Sequence, residues 1–261
     1  MADRDPLDFT GKIALVTGGG RGVGRGITEA FLRAGADVVI CGRTEPESLP
    51  SSEGRSATFI QTDVRDPDQV DALVTATTDR FGRLDVLVNN AGGSPPADTA
   101  TASPRFTTSI IALNLVAPLV CAQRAYAVMK DQPGGGVIIN IASISGTRPN
   151  PGSIAYGVAK AGLINMTETL GMEFAPEVRV VCVTVGPVET EQAHMYYGDA
   201  EGVAAVGATV PMGRLAEPAD VGDACLLLAS PLARYVTGSQ LVVHGGGERP
   251  AYQAAAKNTS P

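Results

Sequence analysis

Lys12-Ile13-Ala14-Leu15-Val16-Thr17, followed at once by Gly18-Gly19-Gly20-Arg21-Gly22-Val23-Gly24, is the stretch that decides the fold. The first six residues read as a short apolar strand. After the glycines, Ile27, Ala30, Phe31 and Ala34 recur at helical spacing and mark one face of a helix. Strand, glycine turn and helix in that order predict a dinucleotide-binding unit, which glycines alone do not. The glycines permit a tight turn, let the backbone approach a pyrophosphate, and let the helix pack closely on the strand. The helix N-terminus then faces the phosphate charge.

Outward from this unit the chain alternates. Strands are expected near 12–17, 37–41, 57–62, 84–89, 136–142, 178–184 and 240–243, and helices near 23–34, 67–81, 105–130, 155–174 and 218–229. Such alternation predicts an α/β fold of Rossmann type: three layers, a mainly parallel sheet of about seven strands, and helices on both faces. One domain over residues 1–261 is expected, with a lid at about 189–212 and an extra tail at about 248–261. Ligands in such folds sit at the carboxyl ends of the strands. The glycine turn, Asn89 and Ser143 all fall there.

Composition excludes several classes. A net charge of −7 and a pI near 4.9 argue against a general nucleic-acid or anionic-membrane binder. No apolar run in the sequence reads as a membrane span, and Met1–Thr10 is charged rather than signal-like, so a cytoplasmic protein is expected. Cys41, Cys121, Cys182 and Cys225 are isolated among apolar neighbours, the pattern of reduced core thiols. His194 and His244 are the only histidines and lie far apart, so no metal site is expected.

Chemistry enters at Tyr156-Gly157-Val158-Ala159-Lys160. Tyr156 and Lys160 are four residues apart and share a helix face, and Ser143 lies thirteen residues upstream of Tyr156. An ammonium near a phenol favours the phenolate, which suits the tyrosine to donate or accept a proton. A serine hydroxyl at the same spot can hydrogen-bond a carbonyl or alcohol oxygen.

These motifs together resemble the short-chain dehydrogenase/reductase family: Thr17-Gly18-x-x-x-Gly22-x-Gly24, Asn89-Asn90-Ala91-Gly92, Asn114, Ile139-Asn140-Ile141-Ala142-Ser143, and Tyr156 with Lys160. Gly213–Val221 and Thr237-Gly238-Ser239-Gln240 match its closing segments. The resemblance implies hydride transfer between a nicotinamide and a carbonyl or secondary alcohol. Tyr156 would be the proton donor, Ser143 would orient the substrate oxygen, Lys160 would tune Tyr156 and hold the ribose, and Asn114 would hold a relay water. It also implies cofactor contacts at Thr17, Gly18, Arg21, Gly22, Val23, Gly24, Asp63, Val64, Asn90, Ala91, Gly92, Tyr156, Lys160, Gly186, Val188 and Thr190.

At the end of the second strand, Gly42 stands where the family's NAD users carry Asp, and Arg43 follows. With Arg21 in the glycine loop, this favours NADP(H) over NAD(H), since guanidinium suits a 2′-phosphate. Ketone or 3-ketoacyl reduction on a small-molecule substrate is the leading expectation, in a homo-oligomer (tetramer or dimer) built through the long helices. An NAD-dependent alcohol dehydrogenase and a non-catalytic dinucleotide sensor are the alternatives. Departures from the family pattern are Val185 for proline, Val181 for asparagine and His244 for aspartate. Substrate choice is expected from Glu191–Met212, with Gly93–Pro96 and Gly146–Pro149 as further rim, where Arg148 could hold an acidic group.

Overall fold

A computed structural model describes residues 5–248, Pro250 and Tyr252. The chain opens with β1 (Ile13–Thr17), α1 (Gly22–Arg33) and β2 (Asp37–Gly42). A two-rung hairpin follows, β3 (Ser51–Ser52) with β4 (Arg55–Ser56), and then β5 (Thr58–Gln61), α2 (Pro67–Phe81) and β6 (Val86–Asn89). Next come α3 (Pro104–Ile111), a π-turn over Ala112–Val116, α4 (Ala117–Met129) and β7 (Gly136–Ser143). The last elements are α5 (Ile154–Glu173), β8 (Val178–Val185), α6 (His194–Tyr197), α7 (Ala200–Thr209), α8 (Pro218–Ala229) and β9 (Ser239–Val243). Seven strands form one parallel sheet in the order β5-β2-β1-β6-β7-β8-β9. Strand order reverses between β1 and β6, which places the ligand crevice at their carboxyl ends.

The strands of the centre read as unbroken apolar runs because helices cover both faces. On one face α1 and α8 pack Ile27, Phe31, Val221 and Cys225 against Val16, Val88 and Ile139. On the other, α2, α4 and α5 bring Leu73, Cys121, Met129 and Leu170 onto Leu15, Leu87 and Ile138. Glycines let α1 and α8 approach: a Cβ at Gly26 would lie 2.4 Å from the Pro218 carbonyl oxygen. Helix starts follow local chemistry. The Asp66 carboxylate accepts from the Asp68 and Gln69 N–H groups at the start of α2, and Glu217 and Asp220 form a capping box on α8. At the amino ends of the strands, the buried Asp85 carboxylate accepts from Lys12 Nζ (2.9 Å), the Ile13 N–H (3.0 Å) and Arg83 Nε (2.8 Å).

The structure corrects the sequence reading in four places. The helix expected over 105–130 is broken by the π-turn, where Ala117 N donates to Ala112 O, five residues back. The stretch Pro104–Met129 is also long and apolar enough to span a membrane by length and composition, with a mean hydropathy of 1.6 over an 18-residue window, where no such run is expected from the sequence. Scattered Thr, Ser, Asn and Gln hide it from inspection residue by residue. Its inner side packs Ala117, Cys121, Ala122 and Met129 into the core, as a globular helix does. The expected lid loop contains two helices, α6 and α7, and the β3–β4 hairpin has no counterpart among the expected strands. Most of the tail from 248 onward lies outside the described residues.

Candidate active site

At the end of β1 the glycine turn is held rigidly. Thr17 Oγ1 accepts from the Asn90 and Ala91 N–H groups, both at 3.0 Å, and Asn90 Nδ2 donates to the Thr17 (2.9 Å) and Gly18 (3.2 Å) carbonyls. Thr17 and Asn90 therefore spend their side chains on shaping the turn. Gly18 and Gly22 adopt φ of 64° and 51°, a left-handed region costly for other residues. A Cβ at Gly24 would lie 2.2 Å from the Gly18 carbonyl oxygen, so only glycine fits where helix meets turn. Arg21 is the exposed N-cap of α1, and Val23 packs on the core in its first turn. The result is a backbone cradle with the first N–H groups of a 12-residue helix behind it, which fits a dinucleotide pyrophosphate. One of those groups, Gly22 N–H, donates to Glu191 Oε2 at 3.2 Å, a partner the sequence did not suggest.

Around the adenine side, Arg43 is exposed just past β2. Among the described residues neither Arg21 nor Arg43 is held in an ion pair, whereas Asp63 is gripped by Arg65 through both carboxylate oxygens. The Arg65 guanidinium holds the Asp63 carboxyl below its usual range, with a smaller pull from Arg43. Val64 is 7% exposed and its side chain belongs to the core.

The proton-handling residues meet where β6 and β7 end. Ser143 closes β7, opposite Val185 of β8, and its Oγ accepts from Ser145 N at 3.2 Å. Valine at 185 keeps a backbone N–H that proline lacks, and β8 runs through it to pair with the serine. Tyr156 lies in the first turn of α5 with Lys160 one turn on, its Nζ 5.5 Å from the phenol ring centroid. Lys160 is buried, and its Nζ donates to the Ile141 carbonyl at 2.7 Å. Burial pushes the Tyr156 phenol up to about 12, against a smaller downward pull from the Ser143 hydroxyl. Burial also holds the Lys160 ammonium down to about 8. The expected lowering of the tyrosine by the lysine is thus not what this structure holds, because the lysine hydrogen bond goes to Ile141 and both groups are desolvated.

Asn114 is fully buried in the π-turn. Its Oδ1 accepts from Gly93 N (2.8 Å), and its Nδ2 donates to the Gly93 and Ile110 carbonyls, both at 2.9 Å. Its side chain is therefore committed to protein partners rather than free for the expected water. Its carbonyl receives no donor from Pro118, four residues on, because proline has no N–H. Gly92 completes the wall: a Cβ there would lie 2.6 Å from Asn114 Oδ1 and 3.4 Å from Lys160 Nζ.

Beyond β8, Gly186 N donates to Val243 O, and a Cβ at Gly186 would meet His244 at 2.7 Å. Val188 bridges to Ala216, and the Thr190 methyl lies near Gly22, so the lid root rests on the glycine turn. Tyr196 and Tyr197 of α6 add a smaller upward push on the Tyr156 phenol. Arg148 forms an ion pair with Glu248, one hundred residues on, and no local signal could have announced that contact. Among the described residues no cluster of His, Cys, Asp and Glu could hold a metal.

Comparison with known proteins agrees with this geometry. A family profile described as enoyl-(acyl carrier protein) reductase matches residues 18–248. An uncharacterised oxidoreductase of Mycobacterium tuberculosis is 35% identical over 93% of this chain and 94% of its own. A 3-oxoacyl-[acyl-carrier-protein] reductase of Vibrio harveyi is 35% identical over 92% and 98%, and an L-fucose dehydrogenase of Oryctolagus cuniculus is 35% identical over 92% and 86%. Among solved structures, the aldohexose dehydrogenase of Thermoplasma acidophilum superposes with a TM-score of 0.86 at 28% identity, covering 98% of this chain and 99% of that one. A putative short-chain alcohol dehydrogenase from Sinorhizobium meliloti gives 0.84 at 30%, covering 93% and 98%. The chain belongs to the short-chain dehydrogenase/reductase family, whose members bind nicotinamide cofactors, and is an oxidoreductase acting on the alcohol–carbonyl pair.

Proposed function

We propose that the protein is an NADP(H)-preferring reductase of ketones or 3-ketoacyl compounds. The observation that carries the chemistry is the meeting of Ser143, Tyr156, Lys160 and Asn114 beside Gly92 at the strand ends, next to the glycine cradle. When bound, the nicotinamide supplies the hydride or takes it back. Tyr156, kept protonated by burial at neutral pH, donates its proton to the substrate oxygen as charge develops there. Ser143 hydrogen-bonds the same oxygen and orients it. Lys160, whose ammonium burial holds down to about 8, exchanges a proton near that pH. Asn114 positions the Gly92–Gly93 wall through its side chain.

The cofactor preference rests on Gly42, which brings no carboxylate to the end of β2, and on the guanidinium of Arg43, which forms no ion pair among the described residues. The 3-oxoacyl reductase relative supports the ketoacyl reading. We place the protein in the cytoplasm as a single domain, dimeric or tetrameric. Exposed Val116, Ile154, Val158 and Met172 near α4 and α5, and Leu227, Leu232 and Tyr235 near the open β9 edge, support self-association. The test is the decay of reduced-nicotinamide absorbance with NADPH or NADH across small ketoesters, cyclic ketones, quinones and 3-ketoacyl thioesters. Turnover with NADPH on one class is expected. Equal use of NADH would overturn the preference, and silence with both cofactors would contradict the reductase reading.

A further inference from the structure

Arg148, paired with Glu248, lies on a segment expected from the sequence to rim the same site. Arg148 follows Ser143 by five residues, and its backbone is tied back by Arg148 N to Ile144 O at 3.1 Å. The guanidinium is therefore carried on the segment that leaves the site serine, with one short 3-10 turn between them. Its Nη2 meets Glu248 Oε1 and its Nη1 donates to Pro149 O at 3.1 Å. Two of five N–H donors are thus engaged, and the planar fork has capacity for a further acceptor. The two side chains are 40% and 37% exposed, so water competes for the pair and it exchanges readily. The half-buried Tyr197 phenol is raised by burial and by Glu248, and lowered by Arg148, and the same phenol acts on Tyr156.

We infer that Arg148 is a specificity-determining residue that takes an anion at the far end of the substrate, with Glu248 as the resident carboxylate that this anion displaces. The substrate is then an oxo compound carrying a carboxylate, or a thioester carrying a phosphate. This assignment rests on the reductase reading above. A carboxylate on Arg148 shows that the guanidinium accepts that chemistry at the rim. A substrate anion seated there gains, in addition, whatever the rest of the ligand buries against the site. Other basic side chains near the cofactor, Arg21 and Arg43, lie on the glycine turn and past β2 rather than beside Ser143.

The test compares matched pairs: a 3-oxo acid against its methyl ester, and acetoacetyl-coenzyme A against the N-acetylcysteamine thioester of the same acid. Each is assayed with wild type, Arg148→Ala, Arg148→Lys and Glu248→Gln, and cofactor binding by nicotinamide fluorescence reports that each variant is folded. Wild type is expected to favour the anionic member of one pair. Arg148→Ala lowers that preference, the ratio of the two kcat/KM values, by about tenfold. Arg148→Lys keeps part of it, since a point charge replaces the fork. Glu248→Gln raises it by about threefold by freeing the guanidinium. A response in the acid pair alone assigns the carboxylate, and a response in the thioester pair alone assigns the phosphate. Equal effects of Arg148→Ala on both members of a pair would overturn the proposal, because the ion pair would then only fasten the chain end. So would turnover of neutral ketones with no preference in either pair, which leaves the reductase reading standing. Failure of wild type to turn over any ketone with either cofactor would remove that reading and this one together.

Discussion

The two ends of the sheet treat buried ionisable groups in opposite ways. At the amino ends, Asp85 is surrounded: burial raises its carboxyl, but Arg83, Lys12 and the Ile13 N–H together bring it below the usual range. At the carboxyl ends, Lys160 and Tyr156 are desolvated with little to offset it, and each is pushed toward its neutral form. The first arrangement fastens β1 to β6. On the function proposed above, the second keeps a proton donor and a movable ammonium proton poised at the strand ends, where strongly perturbed groups point to function. Compensation marks the structural end and its absence marks the chemical end.

Variants at the two ends should fail differently. Tyr156→Phe removes the proton donor and should lower kcat/KM about a thousandfold while dinucleotide binding persists in a fluorescence titration. Retained turnover would place the chemistry elsewhere. Lys160 should make stability depend on pH at the alkaline side. Its folded value near 8 lies below the ordinary 10.5, so the unfolded chain holds the proton between these limits, and its contribution to stability rises as pH climbs through them. The Lys160 contribution, on the order of 3 kcal/mol in all, should appear as a growing difference between wild type and Lys160→Met when urea midpoints are followed from pH 7 to 10.5. The four buried thiols, raised by burial, lower the stability of both alike over this range.

Asp85→Asn leaves Lys12 and Arg83 without their partner and should cost about 2 kcal/mol, a reduced figure because both cations are part-exposed. The sign with pH is opposite to that of Lys160. The Asp85 contribution is full above the ordinary carboxyl value and lost as pH falls through its lowered folded value. The folded Asp85→Asn enzyme should keep its turnover, and a large loss of kcat would blur the division between the ends. The smallest effect concerns neither end's proton chemistry: Arg43→Ala should weaken NADPH about tenfold and NADH hardly at all.

Much of this was written locally. The β1–turn–α1 unit, the strand ends and the α8 bounds at Pro218–Ala229 follow from periodicity, glycines and caps within a few residues of each other. What escaped depends on partners far along the chain. The break at 112–116 accompanies Asn114 bonds to Gly93, twenty-one residues earlier, and no apolar pattern encodes them. The β3–β4 hairpin has two residues per strand, too few to show a period. Helices α6 and α7 are short and mostly exposed, so their positions owe more to docking than to pattern. Glu191 on Gly22 and Glu248 on Arg148 join segments 169 and 100 residues apart. The charge states of Tyr156 and Lys160 depend on burial, which spacing alone does not disclose.

The sharpest test of the contrast is the titration of Lys160 itself. The chain has four lysines, Lys12, Lys130, Lys160 and Lys257, few enough for their side-chain ε-carbon resonances to be resolved by NMR. The resonance absent from Lys160→Met should titrate with a midpoint near 8 in the cofactor-free protein. A midpoint at the ordinary lysine value of 10.5 would show that its charge is compensated after all, and that the two ends of the sheet do not differ as described.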